Sequence, residues 1–333
     1  GVPELFTPVM VSNEIGKTKA KFVFESQEMA QSYELGYKKV GDEEYKTITS
    51  ETPEFEIKGL NVNTNYIVRA ISKAGEYTSK TPFYFEFKTG NVDYKYPLSI
   101  ANTDDFVEWM TTGAEFTTNT DVVNLESDID LKDIDSEALP IVPEFNGVLN
   151  GNNHAIKINS DHGLFRAITG EVNNLTIEGS IVSKPSASSE SGHPLAALAC
   201  VSSAKITNVT NKANITMECA GVIESPVVAG IVAFQKDSDF KNNTNEGKIT
   251  LKHAGTANAE ISGFNRKPFS VIAGLAGVVV NATAEGCVNK GDVKVSCTDV
   301  PKITARHYIG GVIGTPEGAT IKNCTNNGAV TGD

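Results

Sequence analysis

Polar and apolar residues alternate one for one through most of the first ninety positions. The pattern runs through "KAKFVFES" (19–26), "SYELGYKKV" (32–40), "FEIKGL" (55–60), "NYIVRAIS" (65–72) and "FYFEFKTG" (83–90). Period two, punctuated by Gly, Pro and Asn, predicts about seven short antiparallel strands in a sandwich. Residues 91–101 ("NVDYKYPLSIA") break the alternation and read as a linker. In the following "NTDDFVEWMTTG", Phe106, Val107, Trp109 and Met110 fall on one helix face, with Thr103 or Asp104 as the cap. "DVVNLESDIDL" (121–131) predicts a strand and then acidic turns, and "FNGVLNGNNHAIKI" (145–158) two short strands around Gly and Asn.

Beyond Gly163 the chain repeats itself. A small-aliphatic segment recurs as "HGLFRAI" (162–168), "PLAALAC" (194–200), "VAGIVAF" (228–234), "IAGLAGV" (272–278) and "IGGVIGT" (309–315). Each precedes a second segment: "NNLTIEGSI", "TNVTNKANI", "KNNTNEGKI", "EGCVNKGDV" and "KNCTNNGAV". Aligned on Gly179, Ala213, Gly247, Gly291 and Gly328, the repeats are spaced by 34, 34, 44 and 37 residues. Constant cores with variable spacing signal a solenoid whose extra residues go into loops. Short strand-like runs without helices select parallel β-coils, each climbing ~4.8 Å so that like residues stack on like. Ile177, Asn211, Asn245, Asn289 and Asn326 then form one column, an asparagine ladder over its last four members. Thr176, Thr210, Thr244, Val288 and Thr325 form a β-branched face, and Ile181, Ile215, Ile249, Val293 and Val330 the apolar interior.

These residues carry two resemblances. "LNVNTNYIVRAIS" resembles the fibronectin type III signature over residues 1–90. The resemblance implies a tyrosine corner at Tyr66 over Leu60, with Phe22 or Phe24 where that family carries a core Trp. "IGGVIGTPEGATIKNCTNNGAVTG" (309–332) and its four relatives resemble GLUG-type repeats of bacterial surface proteins, over roughly 100–333. That resemblance implies a right-handed β-helix exported to the surface of Bacteroidota-type cells, often as a lipoprotein, and adhesin-like. The expected fold is therefore all-β: a fibronectin III-like sandwich (1–90), the linker (91–101), and a right-handed single-stranded parallel β-helix (102–333). The helix would have a cap segment (102–160) and five repeats (162–333).

Composition narrows the function. The chain has 333 residues, 40% of them hydrophobic and 21% charged, which argues against disorder. A net charge of -12 excludes nucleic acid as an expected partner. No apolar run reaches the ~20 residues needed to span a bilayer, so membrane attachment is expected only through a leader-encoded anchor. Gly1 stands where an initiator Met would, as in a chain lacking its native leader. The five cysteines show neither a disulfide framework nor a CxxC pair and read as buried thiols.

Several clusters invite chemistry. Asp128, Asp130, Asp133 and Asp135 could hold calcium, or form a solvated turn with Ile129 and Leu131 inward. Cys219, His253 and Cys297 share a column, but a zinc site lacks a fourth ligand and a core column is the simpler expectation. Cys287 and Cys324 share another, as free thiols or a disulfide. The sequons at Asn174, Asn208, Asn214, Asn242, Asn281 and Asn323 are expected mostly on the ladder columns, where stacking explains them. A β-helix hydrolase or lyase needs carboxylates stacked on neighbouring coils, and nothing stacks on Asp237 and Asp239, so no catalytic residue, metal or cofactor is expected.

The insertions 183–193, 220–226, 254–270 and 298–308 all leave one edge. They gather Phe264, Phe269 and Tyr308 with Lys184, His193, Arg266, Lys267, Arg306 and His307. Aromatic faces stack on sugars and guanidinium groups grip carboxylates, so these nine are candidate ligand contacts, or the aromatics pin the loops. The expected function is a non-catalytic cell-surface adhesion or glycan-binding protein, its partner an extracellular glycan or host matrix protein. The alternatives are a β-helix polysaccharide lyase or glycoside hydrolase, and a structural surface stalk.

Overall fold

The computed structural model describes residues 1–134, 136–187, 193–221, 223–253, 270–297 and 307–332, the side chains of His253 and Cys297 excepted. The chain divides into two compact units, Gly1–Tyr94 and Lys95–Asp333.

The first unit is antiparallel throughout. One sheet orders Met10–Ile15, Ala20–Phe24 and Glu54–Ile57. The other runs Lys46–Ser50, Ser32–Lys39, Asn65–Ala74, with Tyr77–Thr78 and Phe83–Lys88 both on Asn65–Ala74. Alternation does its work here: Tyr66, Val68 and Ala70 point inward from one strand, towards Phe22, Phe24, Phe55 and Ile57 from the facing sheet. Each buried Val, Ile or Phe among them contributes about 1.5–3 kcal/mol. Tyr66 Oη accepts the Asn61 N–H at 2.8 Å, and its ring stacks on Phe87 at 5.7 Å. Leu60 is buried in the same core.

The second unit is a curled parallel sheet system. It begins inside the stretch read as linker: Leu98–Ile100 is a strand paired with Val122–Leu125, because Leu98 and Ile100 alternate apolar and Ile100 is fully buried. The helix Thr103–Thr112 is capped by Asn102, one residue before the expected Thr103 or Asp104. The Asn102 amide oxygen takes the Asp105 N–H at 2.8 Å. Phe106, Trp109 and Met110 are buried, and Val107 only half so. Trp109 packs edge-on against Phe145, which stacks on Phe165. Where two short strands were expected, Val142–Phe145 is followed by one long strand, Val148–Ser160. Asn152 and Asn153, at φ 51° and 62°, shift its register without ending it.

From there the first repeat adds strands to two parallel sheets, and each later repeat, from Pro194 on, to three. Asn214–Glu218, Ile249–His253, Val293–Cys297 and Val330–Gly332 stack in one rank, pairing Ile215 with Ile249, Ile249 with Val293 and Val293 with Val330. The small-aliphatic segments build a six-stranded and a four-stranded sheet across the coil. Their glycines answer to the asparagines opposite. A Cβ on Gly274 would sit 2.1 Å from the Gly311 carbonyl and 2.5 Å from Asn289 Oδ1, so only glycine lets the coil close around the amide.

Candidate functional site

The interior ladder is continuous. Asn211 Nδ2 donates to Asn245 Oδ1 at 2.9 Å, Asn245 to Asn289 at 2.8 Å, and Asn289 to Asn326 at 2.8 Å. Each amide also closes a turn on its own strand, as Asn245 Nδ2 does on the Gly247 carbonyl at 2.9 Å. Asn211, Asn245 and Asn289 are fully buried, so both amide functions have to find protein partners, and they do. The fifth position of the column, Ile177, pairs with Asn211 by backbone only. The sequon asparagines lie elsewhere than expected. Asn174, Asn208, Asn242 and Asn323 stand three residues before the ladder register, at φ 49–55°, where a short amide side chain tolerates left-handed backbone. A second, half-buried ladder joins Asn173 to Asn150 and Asn150 to Asn124, both at 2.8 Å.

The outer faces carry charge columns that sequence reasoning missed. Glu246 stands between Lys212 and Lys290 at 3.7 and 3.9 Å, and Lys241 meets Asp239 at 3.4 Å and Glu285 at 3.6 Å. Glu218 lies between Lys252 at 3.1 Å and Lys184 at 3.7 Å, and Lys252 foremost holds its carboxyl below the usual range. Alternating sign at one repeat offset was the signal available. Lys184, assigned to the ligand set, is thus engaged by a neighbouring coil.

The insertions leave after Ser183, Glu218, His253 and Cys297 and rejoin at Pro194, Val227, Ser270 and His307, which stack in one sheet. Adjoining insertions touch: the Ala220 N–H donates to the Pro185 carbonyl at 2.8 Å. His193 and His307 occupy one register column, first and fourth of four, about 14 Å apart at three strand spacings. Both are half-buried, and burial pushes both imidazoles below their ordinary value, with Arg166 adding to the effect at His193. His307 Nδ1 lies 2.5 Å from Ser270 Oγ. Tyr308 packs against the apolar cluster of Ala196, Val227, Ala233, Val271 and Val278. Phe264, Arg266, Lys267, Phe269 and Arg306 lie outside the described residues.

The acidic turn is spent internally. Asp128 Oδ1 accepts the Ala155 N–H at 2.9 Å and faces His154 Nδ1 at 3.1 Å, contacts that lower its pKa in that order, while Ile129 and Leu131 are buried. Asp135 lies outside the described residues, among which no group of three His, Cys, Asp or Glu could hold a metal ion. Cys219 is buried, Cys287 and Cys324 are free thiols, and burial pushes Cys287 up to about 12. The backbones of His253 and Cys297 are paired, but their side chains lie outside the described set. Asp237 and Asp239 line an open polar depression of about 300 Å³ with Ser238, Asn281, Thr283 and Thr320.

The GLUG motif matches residues 305–331. Of these, residues 307–331 form the last described coil, which supplies Thr325, Asn326 and Val330 to the β-branched, asparagine and apolar columns. No curated protein matches the chain. Among solved structures it is similar to the fn3 domain of human collagen alpha-1(XX) chain. The identity is 18% over 28% of this chain and 95% of that one, with a TM-score of 0.26. It is also similar to a two-domain fibronectin type III segment from chicken tenascin, at 20% identity over 25% and 50% of the chains and a TM-score of 0.24.

Proposed function

We propose that the protein is a non-catalytic adhesin of a bacterial cell surface, exported and lipid-anchored, that binds an extracellular glycan or matrix protein at the corner of its coil stack. The observation that carries this reading is that insertions of differing length leave and rejoin the coils at the same strand ends, on a scaffold whose coils otherwise repeat in register. Rigid stacks that vary at one corner place sequence diversity where a partner is met. The carboxylates of the coil faces favour a non-catalytic role, since Glu218, Glu246, Asp239 and Glu285 are tied to lysines. A Bacteroidota-type source and a right-handed winding complete the reading. The hand follows from the preference of parallel crossovers, right-handed in about 98% of cases.

A glycan and matrix-protein array probed with the whole chain tests it. Arg266→Ala, Arg306→Ala and Tyr308→Ala together are expected to weaken the strongest signal at least tenfold. Binding unchanged in that triple variant removes the corner as the site.

A further inference from the structure

The outer face of the five-stranded sheet of the sandwich carries a group that no part of the core requires. Across that face Tyr84, Arg69 and Gly36 stand side by side on three neighbouring strands, paired Arg69 with Tyr84 and Arg69 with Gly36. Gly36 interrupts an eight-residue strand, where glycine is unfavourable because it has the most backbone freedom to lose. Tyr45 explains it: a Cβ on Gly36 would lie 3.1 Å from Tyr45 Cδ1, so the missing side chain is the seat of the ring. On that seated ring rest two cations, the Arg69 guanidinium at 4.2 Å from the centroid and the Lys38 ammonium at 4.7 Å.

The charges are left open. Among the described residues neither Arg69 nor Lys38 is in an ion pair; Lys38 Nζ donates to the Asp42 carbonyl at 2.7 Å, and Glu34, on the same face, is taken by Lys73 at 3.1 Å. Arg69 is thus left without a carboxylate partner among the described residues. Its neighbour Tyr84 is 53% exposed, a large aromatic face beside an unsatisfied guanidinium. A guanidinium that stacks on one ring keeps its in-plane N–H donors for a carboxylate, in the two-pronged geometry lysine cannot offer.

We propose that this face binds a carboxylate-bearing saccharide, a uronate-type residue whose ring packs on Tyr84 and whose carboxylate is gripped by Arg69, with Lys38 as the second cation. A saccharide fits better than an acidic peptide because the site pairs one flat exposed ring with one fork of donors. The sandwich is then a binding module in its own right, and the assignment does not rest on the coil corner.

Titration calorimetry on the whole chain with tetragalacturonate tests it, using its methyl ester, neutral maltotetraose and a tetra-aspartate peptide as the other arms. Binding of tetragalacturonate alone is expected, weakened at least tenfold by Arg69→Ala and by Tyr84→Ala, and unchanged by Tyr308→Ala. Thermal unfolding of each variant, with Arg69→Gln and Tyr84→Ser as second versions, separates lost binding from lost fold. Absent binding, equal binding of the ester, equal affinity of Arg69→Ala, or tetra-aspartate binding as tightly as the sugar overturns the assignment. Sensitivity to Tyr308→Ala instead moves the site to the coils.

Discussion

At the scale of single residues, the molecule depends on polar groups placed where water cannot follow. Asn245 serves four hydrogen bonds: it receives Asn211 Nδ2 and the Gly247 N–H, and it gives to Asn289 Oδ1 and the Gly247 carbonyl. Asn245→Ala leaves both ladder neighbours with one partner fewer in a dry interior, which costs about 2–4 kcal/mol. Asn326→Ala removes the same chemistry from an exposed coil, where water replaces it, and costs less than about 1 kcal/mol. Denaturant titration of the two variants checks the difference, and equal losses would mean that burial does not set the worth of the ladder. Protonation acts at the same scale. Burial lowers the pKa of His193 and His307, so the folded protein binds fewer protons than the unfolded chain. Stability is therefore fully present above the ordinary imidazole value of about 6.5 and is lost as pH falls from there through the folded values. A His193→Gln/His307→Gln variant is expected to show a flatter melting temperature than the parent between pH 7.5 and 5. A parallel decline in both would assign the pH dependence to carboxylates.

At the scale of elements, the corner that holds the sandwich loop offers a cleaner experiment. Tyr66 Oη takes the Asn61 N–H from a half-buried position, and Tyr66→Phe keeps the ring on Phe87 while orphaning that donor. The expected loss is about 1–2 kcal/mol in the unfolding of the first unit, read by Tyr fluorescence or urea titration, and no loss would show that water reaches Asn61. Elements of this kind differ in how openly the sequence declares them. The coil columns were legible because a fixed offset returns the same residue type, and "TNVTNKANI" beside "KNNTNEGKI" shows the stacking before any coordinate does. Tyr66 and the pair Phe22 or Phe24 were legible through the resemblance of "LNVNTNYIVRAIS" to the fibronectin type III signature, and the alternation around them marked the strands. What escaped depended on partners brought together by register between strands rather than along them. Gly36 looked like one more strand glycine until Tyr45 was seated on it, and Lys184 looked free until Glu218 came beneath it. The cap moved to Asn102 and the linker yielded a strand because hydrogen bonds, not composition, decide where an element begins.

At the scale of the whole coil unit, stability is a sum of contacts between nearest neighbours, and among the described residues the coil at 307–332 packs only on the coil before it. One interior column makes the asymmetry visible. Ile215, Ile249 and Val293 are fully buried, while Val330 in the same register is 38% exposed and Ile321 nearby is 45% exposed. The backbone bonds themselves do not differ: the N–H groups of Glu246, Lys290 and Asn327 donate to Asn211, Asn245 and Asn289 carbonyls at 2.7, 2.7 and 2.8 Å. If hydrogen-bond geometry set protection, these three amides would exchange with solvent alike. If neighbour contacts set it, Asn327 opens by peeling one coil, Lys290 when two interfaces are lost, and Glu246 only when three are lost. Hydrogen exchange is expected to find Asn327 at least a hundredfold less protected than Glu246, with Lys290 between them, a span of about 2.7 kcal/mol. Asn245→Ala should then reduce protection at Glu246 and Lys290 by weakening the interfaces on either side of its coil, and leave the amides of the sandwich as they were. Uniform exchange across the three positions would mean that the unit opens in one step, and the column-by-column account of its stability would have to be given up.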